Sequence, residues 1–131
     1  VLWKQVLQFS ESYGLLSNGC KYVSMTLDYP FITLEEQSRF MVGVTLPQSF
    51  KIPKGFGVYE VPAGEYAIFR FKGLYHELNR VYRYIYLDWL PANDYSLRDP
   101  FTFETYINTP EKTPVSELIT DIYIPVKKKE I

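Results

Sequence analysis

Apolar and polar residues alternate along three stretches of the chain. Residues 21–28, 40–46 and 101–107 each place an apolar side chain at nearly every second position. Successive side chains of a strand point to opposite faces, so this period of two predicts three half-buried β-strands. Pro30 and Pro47 follow the first two stretches and are expected to end those strands.

Two other stretches repeat their apolar residues at helical spacing. Leu2, Val6, Phe9 and Tyr13 form one stripe, which predicts a helix over residues 1–14. No capping residue precedes this helix, and we expect that further residues come before Val1 in the natural chain. A longer stripe predicts a second helix over residues 74–89, with Pro91 marking its exit. Its members are Leu74, Leu78, Val81, Tyr82, Ile85 and Trp89.

The remaining segments are shorter. Residues 56–61 and 65–71 are predicted to be strands joined by a turn at residues 62–64. Residues 93–100 are predicted to form a loop, and a last strand over 118–124 is expected to close at Pro125. The basic residues 127–129 are interpreted as a solvated end of the chain.

The two halves of the chain repeat one order of elements. Residues 21–30 align with residues 101–110 without a gap, which superposes Ser24 on Glu104. The sequence therefore predicts a single α+β domain over 1–131, built from duplicated β-α-β-β units at about 1–47 and 56–126. We expect an antiparallel sheet with two helices on one face and a central ligand groove, placed on the face away from the helices. The repeat also predicts a first strand before Val1, which is absent from this sequence.

Composition narrows the classes of function. The chain has 131 residues and a net charge of −1, so it lacks the cluster of basic residues that binding to nucleic acid requires. One cysteine and one histidine predict neither an internal disulfide nor a metal site, and we expect no cofactor. No apolar segment approaches the length of a membrane span, and we expect a cytoplasmic protein with no membrane partner.

Glu104 is the candidate functional centre, because it interrupts a strand whose neighbours are rings and hydroxyl groups. A carboxylate surrounded by aromatic rings attracts a ligand cation more strongly than a solvated one does. The alternative is a surface acid paired with a lysine or arginine. The other candidates for the ligand site are Tyr106, which follows Glu104 on the same face, Tyr22, Ser24 and Thr26 on the matching strand, and Trp89. Trp89 also suits the core, and Tyr82, Tyr84 and Tyr86 are assigned mainly to packing or rim positions.

The order and spacing of several motifs resemble a known family. Val61–Gly73, Trp89-Leu90-Pro91, Phe103-Glu104-Thr105-Tyr106 and Ile122–Pro125 resemble the GyrI-like domain, and Leu27-Asp28-Tyr29-Pro30 resembles it more weakly. This domain is the effector-binding part of many AraC-type bacterial transcription regulators. The resemblance implies a groove that binds small aromatic and often cationic molecules, with Glu104 at the acidic position on its floor.

The resemblance implies a sensor with a small-molecule effector as its partner. DNA would be bound only through a separate helix-turn-helix domain that this chain does not contain, and the oligomeric state is left open. Two alternatives also stay open. The chain could be a freestanding protein that binds a macromolecular partner, or a small-molecule hydrolase with Glu104 as general base.

Overall fold

The computed structural model describes residues 2–15, 19–27, 40–47, 50–51, 55–99, 101–110 and 112–129. Within these ranges the chain forms an α+β fold of six antiparallel strands and two main helices. No helix in the described part of the chain is long and apolar enough to cross a membrane. The elements are α1 (Leu2–Tyr13), β1 (Tyr22–Thr26), β2 (Phe40–Val44), β3 (Tyr66–Lys72), α2 (Leu78–Tyr84), β4 (Tyr95–Leu97), β5 (Thr102–Tyr106) and β6 (Ile119–Lys128).

The sheet joins the two halves of the chain at its centre. The strand order is β2-β1-β5-β6-β3, with β4 paired to the far end of β6. β1 and β5 are antiparallel, and Ser24 lies directly opposite Glu104. These are the two residues that the repeat alignment superposes. The two strands that the alignment superposes are therefore neighbours at the centre of the sheet.

Both helices contact the same face of the sheet. Trp3 of α1 packs edge-on against Tyr22 and Tyr106, and Tyr82 of α2 donates a hydrogen bond to Glu104. The main core lies under α2 and is formed by Leu78, Ile85, Leu90, Ile122, Ile124 and Val126. A second buried cluster on the opposite face contains Met25, Phe101 and Phe103.

The second helix continues past its predicted end. A 3-10 turn (Tyr75–Glu77) leads into α2, and a π-helical turn (Ile85–Trp89) and a short α-helical turn (Leu90–Ala92) follow it. Pro91 therefore lies inside the last turn. A proline ring clashes with the carbonyl four residues earlier in a regular α-helix, and the wider π-helical turn before Pro91 is compatible with it.

Three other predictions of secondary structure differ from the structure. Residues 56–61 do not form a strand, although β3 follows close to its predicted position. The predicted loop at 93–100 contains β4, which pairs with β6. The last strand also continues through Pro125 to Lys128. The carbonyl of Pro125 accepts a hydrogen bond from the N–H of Arg98, so the backbone of this residue faces away from β3, at a position beyond the end of β5. The missing N–H of the proline therefore costs no hydrogen bond to β3, and the strand tolerates Pro125.

Candidate functional site

Glu104 lies at the middle of β5, between β1 and β6. Its side chain is on the face that the helices cover. The hydroxyl of Tyr82 donates to Oε2 at 2.6 Å, and the hydroxyl of Tyr106 donates to Oε1 at 2.9 Å. Each carboxylate oxygen therefore accepts one short hydrogen bond from a phenol, which fixes the orientation of the group.

Burial and the nearby carboxylate keep these phenols protonated. The pKa of Tyr82 is well above its ordinary value of 10.0, first because the hydroxyl is buried and then because Glu104 is close. Burial and Glu104 also raise the pKa of Tyr106, and a hydrogen bond with Ser24 acts in the opposite direction. The pKa of Tyr75 is raised by the same two causes. The phenols thus act as hydrogen-bond donors at neutral pH.

Aromatic rings surround this group. Tyr106 packs edge-on against Trp3 at 5.7 Å and against Tyr75 at 5.5 Å between ring centroids. Tyr22 packs against the other side of Trp3, and Tyr86 lies parallel to Tyr82. We call this set the aromatic cluster: Trp3, Tyr22, Tyr75, Tyr82, Tyr86 and Tyr106. It brings α1, α2, β1 and β5 together around one carboxylate.

Glu104 has no cationic partner in the described part of the chain. The ion pairs there join Arg70 to Asp121, Arg80 to Glu77 and Arg98 to Asp99, and Glu104 takes part in none of them. A carboxylate offers about four lone-pair positions, of which the two phenols use two. The group can therefore accept further hydrogen bonds from a ligand or hold a positive charge.

Five of the six candidate site residues lie on one face of two adjacent strands. These are Glu104 and Tyr106 on β5, and Tyr22, Ser24 and Thr26 on β1. Tyr22 is directly opposite Tyr106, whereas Thr26 is opposite Thr102 at the other end of the pairing. The prediction that the groove lies on the face away from the helices is wrong for this group. The second helix buries Leu78 and Ile85 of its apolar stripe on the face that carries Glu104.

Trp89 is packed elsewhere. Its indole meets Phe69 edge-on at 4.9 Å and stacks on Tyr95 at 5.6 Å. None of its described ring contacts is with the aromatic cluster. Asp28, which belongs to the weaker part of the family resemblance, lies outside the described residues.

The sequence interpretation missed three residues that surround Glu104. Tyr82 lies on the apolar stripe of the second helix, which predicts a packing role, but its hydroxyl contacts Glu104. A tyrosine on a buried stripe needs a partner for its hydroxyl, and a mid-strand carboxylate is a suitable acceptor, so this signal was present. Tyr75 lies seven residues earlier on the same side of the helical segment. Trp3 falls between the stripe residues of α1, and nothing in its local pattern indicated the site.

The chain is similar to known proteins over most of its length. The model of the GyrI-like small molecule binding domain family matches residues 1–127. A protein named DNA gyrase inhibitor, from Serratia proteamaculans (strain 568), is 31% identical over 112 residues, which cover 82% of this chain and 70% of that protein. The family match includes the two strands that carry Ser24 and Glu104. The chain therefore belongs to the GyrI-like family of small-molecule-binding domains.

Proposed function

We propose that this domain binds an aromatic cation at Glu104, within the aromatic cluster. The observation that carries the proposal is that Glu104 is held by two phenols and lacks a cationic partner among the described residues. A ligand cation would supply the missing positive charge. Its aromatic part would pack against the rings that surround the carboxylate.

The energetics favour a ligand with both features. Near a protein surface a charge pair at 4 Å is worth about 4 kcal/mol, compared with about 1 kcal/mol in water. A cation over an aromatic face gains about 0.5–2 kcal/mol more. Neutral aromatic ligands would lack both contributions, and anions would be repelled by Glu104. Charge should therefore decide selectivity, and ring packing should supply general affinity.

A pair of xanthene dyes tests this selectivity. Rhodamine 6G is a cation, and fluorescein has a similar ring system but is an anion at neutral pH. Fluorescence anisotropy should show binding of rhodamine 6G and much weaker binding of fluorescein. Glu104→Gln preserves the shape and removes the charge, and it should weaken rhodamine 6G binding roughly 10- to 100-fold, which corresponds to about 1.4–2.7 kcal/mol.

The matched control is Glu117→Gln. Glu117 is exposed in a 3-10 turn, so this variant removes the same formal charge away from the aromatic cluster. Its affinity for rhodamine 6G should equal that of the unmodified protein. Equal affinity of Glu104→Gln and Glu117→Gln for the cation would refute the role of Glu104.

We further propose that the domain serves as the effector sensor of an AraC-type transcription regulator. The support is the order of motifs from Val61 to Pro125, which resembles the effector domains of such regulators. Control of DNA binding would require the ligand to favour one arrangement of the linked DNA-binding domain over the other. The codons upstream of Val1 should encode a helix-turn-helix domain. An immediate start codon there would contradict this proposal.

A second candidate function is binding to a macromolecular partner. It is favoured by the similarity to the Serratia protein, whose name describes an inhibitor of DNA gyrase. A supercoiling assay with purified gyrase tests this candidate. Inhibition that persists in Glu104→Gln would indicate a protein surface separate from the aromatic cluster.

A further inference from the structure

The outer edge of β3 is unpaired in the described sheet. β3 is the last strand of the order, and only β6 lies beside it. The N–H of Val126 bonds to the carbonyl of Glu65, and the N–H of Gly73 bonds to the carbonyl of Leu118. Backbone groups of an antiparallel strand alternate between its two edges, so the odd-numbered residues bond to β6. The N–H and C=O groups of Tyr66, Ile68, Arg70 and Lys72 therefore point outward.

A groove of about 340 Å³ lies against β3. Five consecutive residues, 65–69, line it together with Trp89, Tyr95 and Val126. Side chains of a strand alternate between faces, so a groove lined by five consecutive residues reaches backbone atoms of β3 or side chains of both its faces. The groove thus combines an apolar aromatic wall with backbone donors and acceptors at the spacing of a strand, as in sites that bind an added strand.

The chain contains a strand-like segment without a strand partner. Residues 56–61 are rich in residues that favour strands, and their alternation predicts a strand. In the structure they form no strand, and their large apolar side chains are exposed, with Val58 67% and Tyr59 51% accessible. Phe56 packs on Phe9 of α1 at 4.5 Å, which directs the segment toward α1.

The turn before β3 holds the segment in this direction. Arg98 donates from Nη2 to the carbonyl of Glu65 at 3.2 Å and from Nη1 to that of Ala63 at 3.5 Å. Its guanidinium packs so closely on Gly64 that a Cβ added there would lie 2.6 Å from Cζ. Gly64 has φ of +144°, a conformation that side-chain-bearing residues rarely adopt. The segment is thus held away from the edge of its own β3.

We propose that the edge of β3 binds residues 56–61 of a second copy of this chain. Each copy offers one free edge and one unpaired segment, so a reciprocal exchange satisfies both and closes as a twofold dimer. The added strand would insert apolar side chains into the groove beside Trp89 and Tyr95. In this dimer the outer edge of β3 is occupied in both copies, so no further copy can add to that edge.

Two substitutions test the edge of β3 and the segment 56–61 separately. Ile68→Pro removes an outward N–H and leaves the bonds from β3 to β6 intact, because prolines are tolerated where the strand N–H faces away from the sheet. Val58→Asp puts a charge on the exposed segment. Leu87→Asp is the control, since Leu87 is 63% exposed on the second helix and does not line the groove.

Multi-angle light scattering with size-exclusion chromatography measures the outcome. The unmodified protein and Leu87→Asp should have twice the mass of one chain, whereas Ile68→Pro and Val58→Asp should each have the mass of one chain. Circular dichroism should show that all four are folded. If Ile68→Pro fails to fold, Ile68→N-methyl-isoleucine made by chemical ligation removes the same donor.

Three results would overturn the proposal. The first is a monomer for the unmodified protein at concentrations up to about 1 mM, a range in which weak specific association is visible. The second is a dimer that persists in Ile68→Pro, which would place the contact on another surface. The third is a dimer that persists in Val58→Asp but not in Ile68→Pro, which would mean that β3 binds a different segment.

Discussion

Two carboxylates on opposite faces of one sheet have different partners. Asp121 on β6 is 7% exposed and accepts two hydrogen bonds from the guanidinium of Arg70, at 2.8 and 3.0 Å. Glu104 on the neighbouring strand accepts its two hydrogen bonds from phenols. The charge of Asp121 is therefore paired within the sheet, whereas no cation in the described part of the chain pairs with Glu104.

This difference separates a structural acid from a candidate binding acid. A carboxylate with a bidentate guanidinium gains little from a further cation, because its charge is already paired. A carboxylate that accepts hydrogen bonds from neutral groups has no paired cation, so its negative charge can attract a ligand cation. Glu104 is half-buried, which strengthens that attraction relative to bulk water.

The largest expected effect comes from reversing the charge at the binding acid. Glu104→Lys should invert the preference for rhodamine 6G over fluorescein, with a change in the affinity ratio on the order of 100-fold, because attraction becomes repulsion. Asp121→Asn should leave the ratio unchanged. Fluorescence anisotropy with both dyes measures it, and a similar change of ratio in both variants would remove the distinction between the two faces.

The next effect is a loss of protein stability at alkaline pH, caused by Tyr82 on the face of the sheet that carries Glu104. The pKa of Tyr82 is raised in the folded protein, so above pH 10 the unfolded chain releases a proton that the native state retains. Stability from this group is complete below pH 10 and decreases as pH rises further, by at most about 1.4 kcal/mol per pH unit. Urea unfolding between pH 8 and 12 should show a shallower decrease for Tyr82→Phe.

The control for the alkaline experiment is Tyr84→Phe, which removes a hydroxyl from a ring that is 51% exposed on the same helix. Its decrease of stability with pH should match that of the unmodified protein. Identical curves for Tyr82→Phe and Tyr84→Phe would show that the buried phenol is not linked to stability.

A smaller effect should distinguish the acids by thermal stability in the absence of ligand. Asp121→Asn weakens an ion pair that joins β3 to β6 and should lower Tm by roughly 5 °C. Glu104→Gln should keep Tm constant or raise it slightly, because an amide can accept from Tyr82 and donate to Tyr106. Differential scanning calorimetry measures both values. A larger decrease of Tm for Glu104→Gln than for Asp121→Asn would reverse the assignment of roles.

The smallest effect concerns two buried threonines near these acids. Thr120 lies opposite Tyr106 on the helical face, and Thr105 lies opposite Asp121 on the other face. Neither Oγ1 has a hydrogen-bond partner among the residues that the structure describes. A buried hydroxyl without a partner is costly, so Thr→Val at either position should raise Tm by roughly 3 °C. A decrease of Tm at only one position would show that the threonine hydroxyl there has a hydrogen-bond partner in solution.

The strands at the centre of the sheet could be predicted because their signals are local. Alternation indicated β1, β2 and β5, and the alignment of the repeats made Ser24 the counterpart of Glu104, whereas the pairing of the two residues across adjacent strands is a property of the tertiary structure. The strand predicted at residues 56–61 has the same pattern, yet it forms no strand. Alternation shows that a segment can pair, but pairing also needs an available edge, which depends on distant parts of the chain.

The position of Glu104 on a half-buried strand, with Tyr106, Tyr22 and Ser24 on its face, followed from the sequence itself, because a strand has only two faces. The tertiary structure decided which helix residues reach that acid. Rotation of the second helix on the sheet placed Tyr82 on Glu104, and packing of its far end placed Trp89 against Phe69 and Tyr95. A helix can rotate continuously about its axis, so contacts between helix and sheet depend on how the whole core packs rather than on local periodicity.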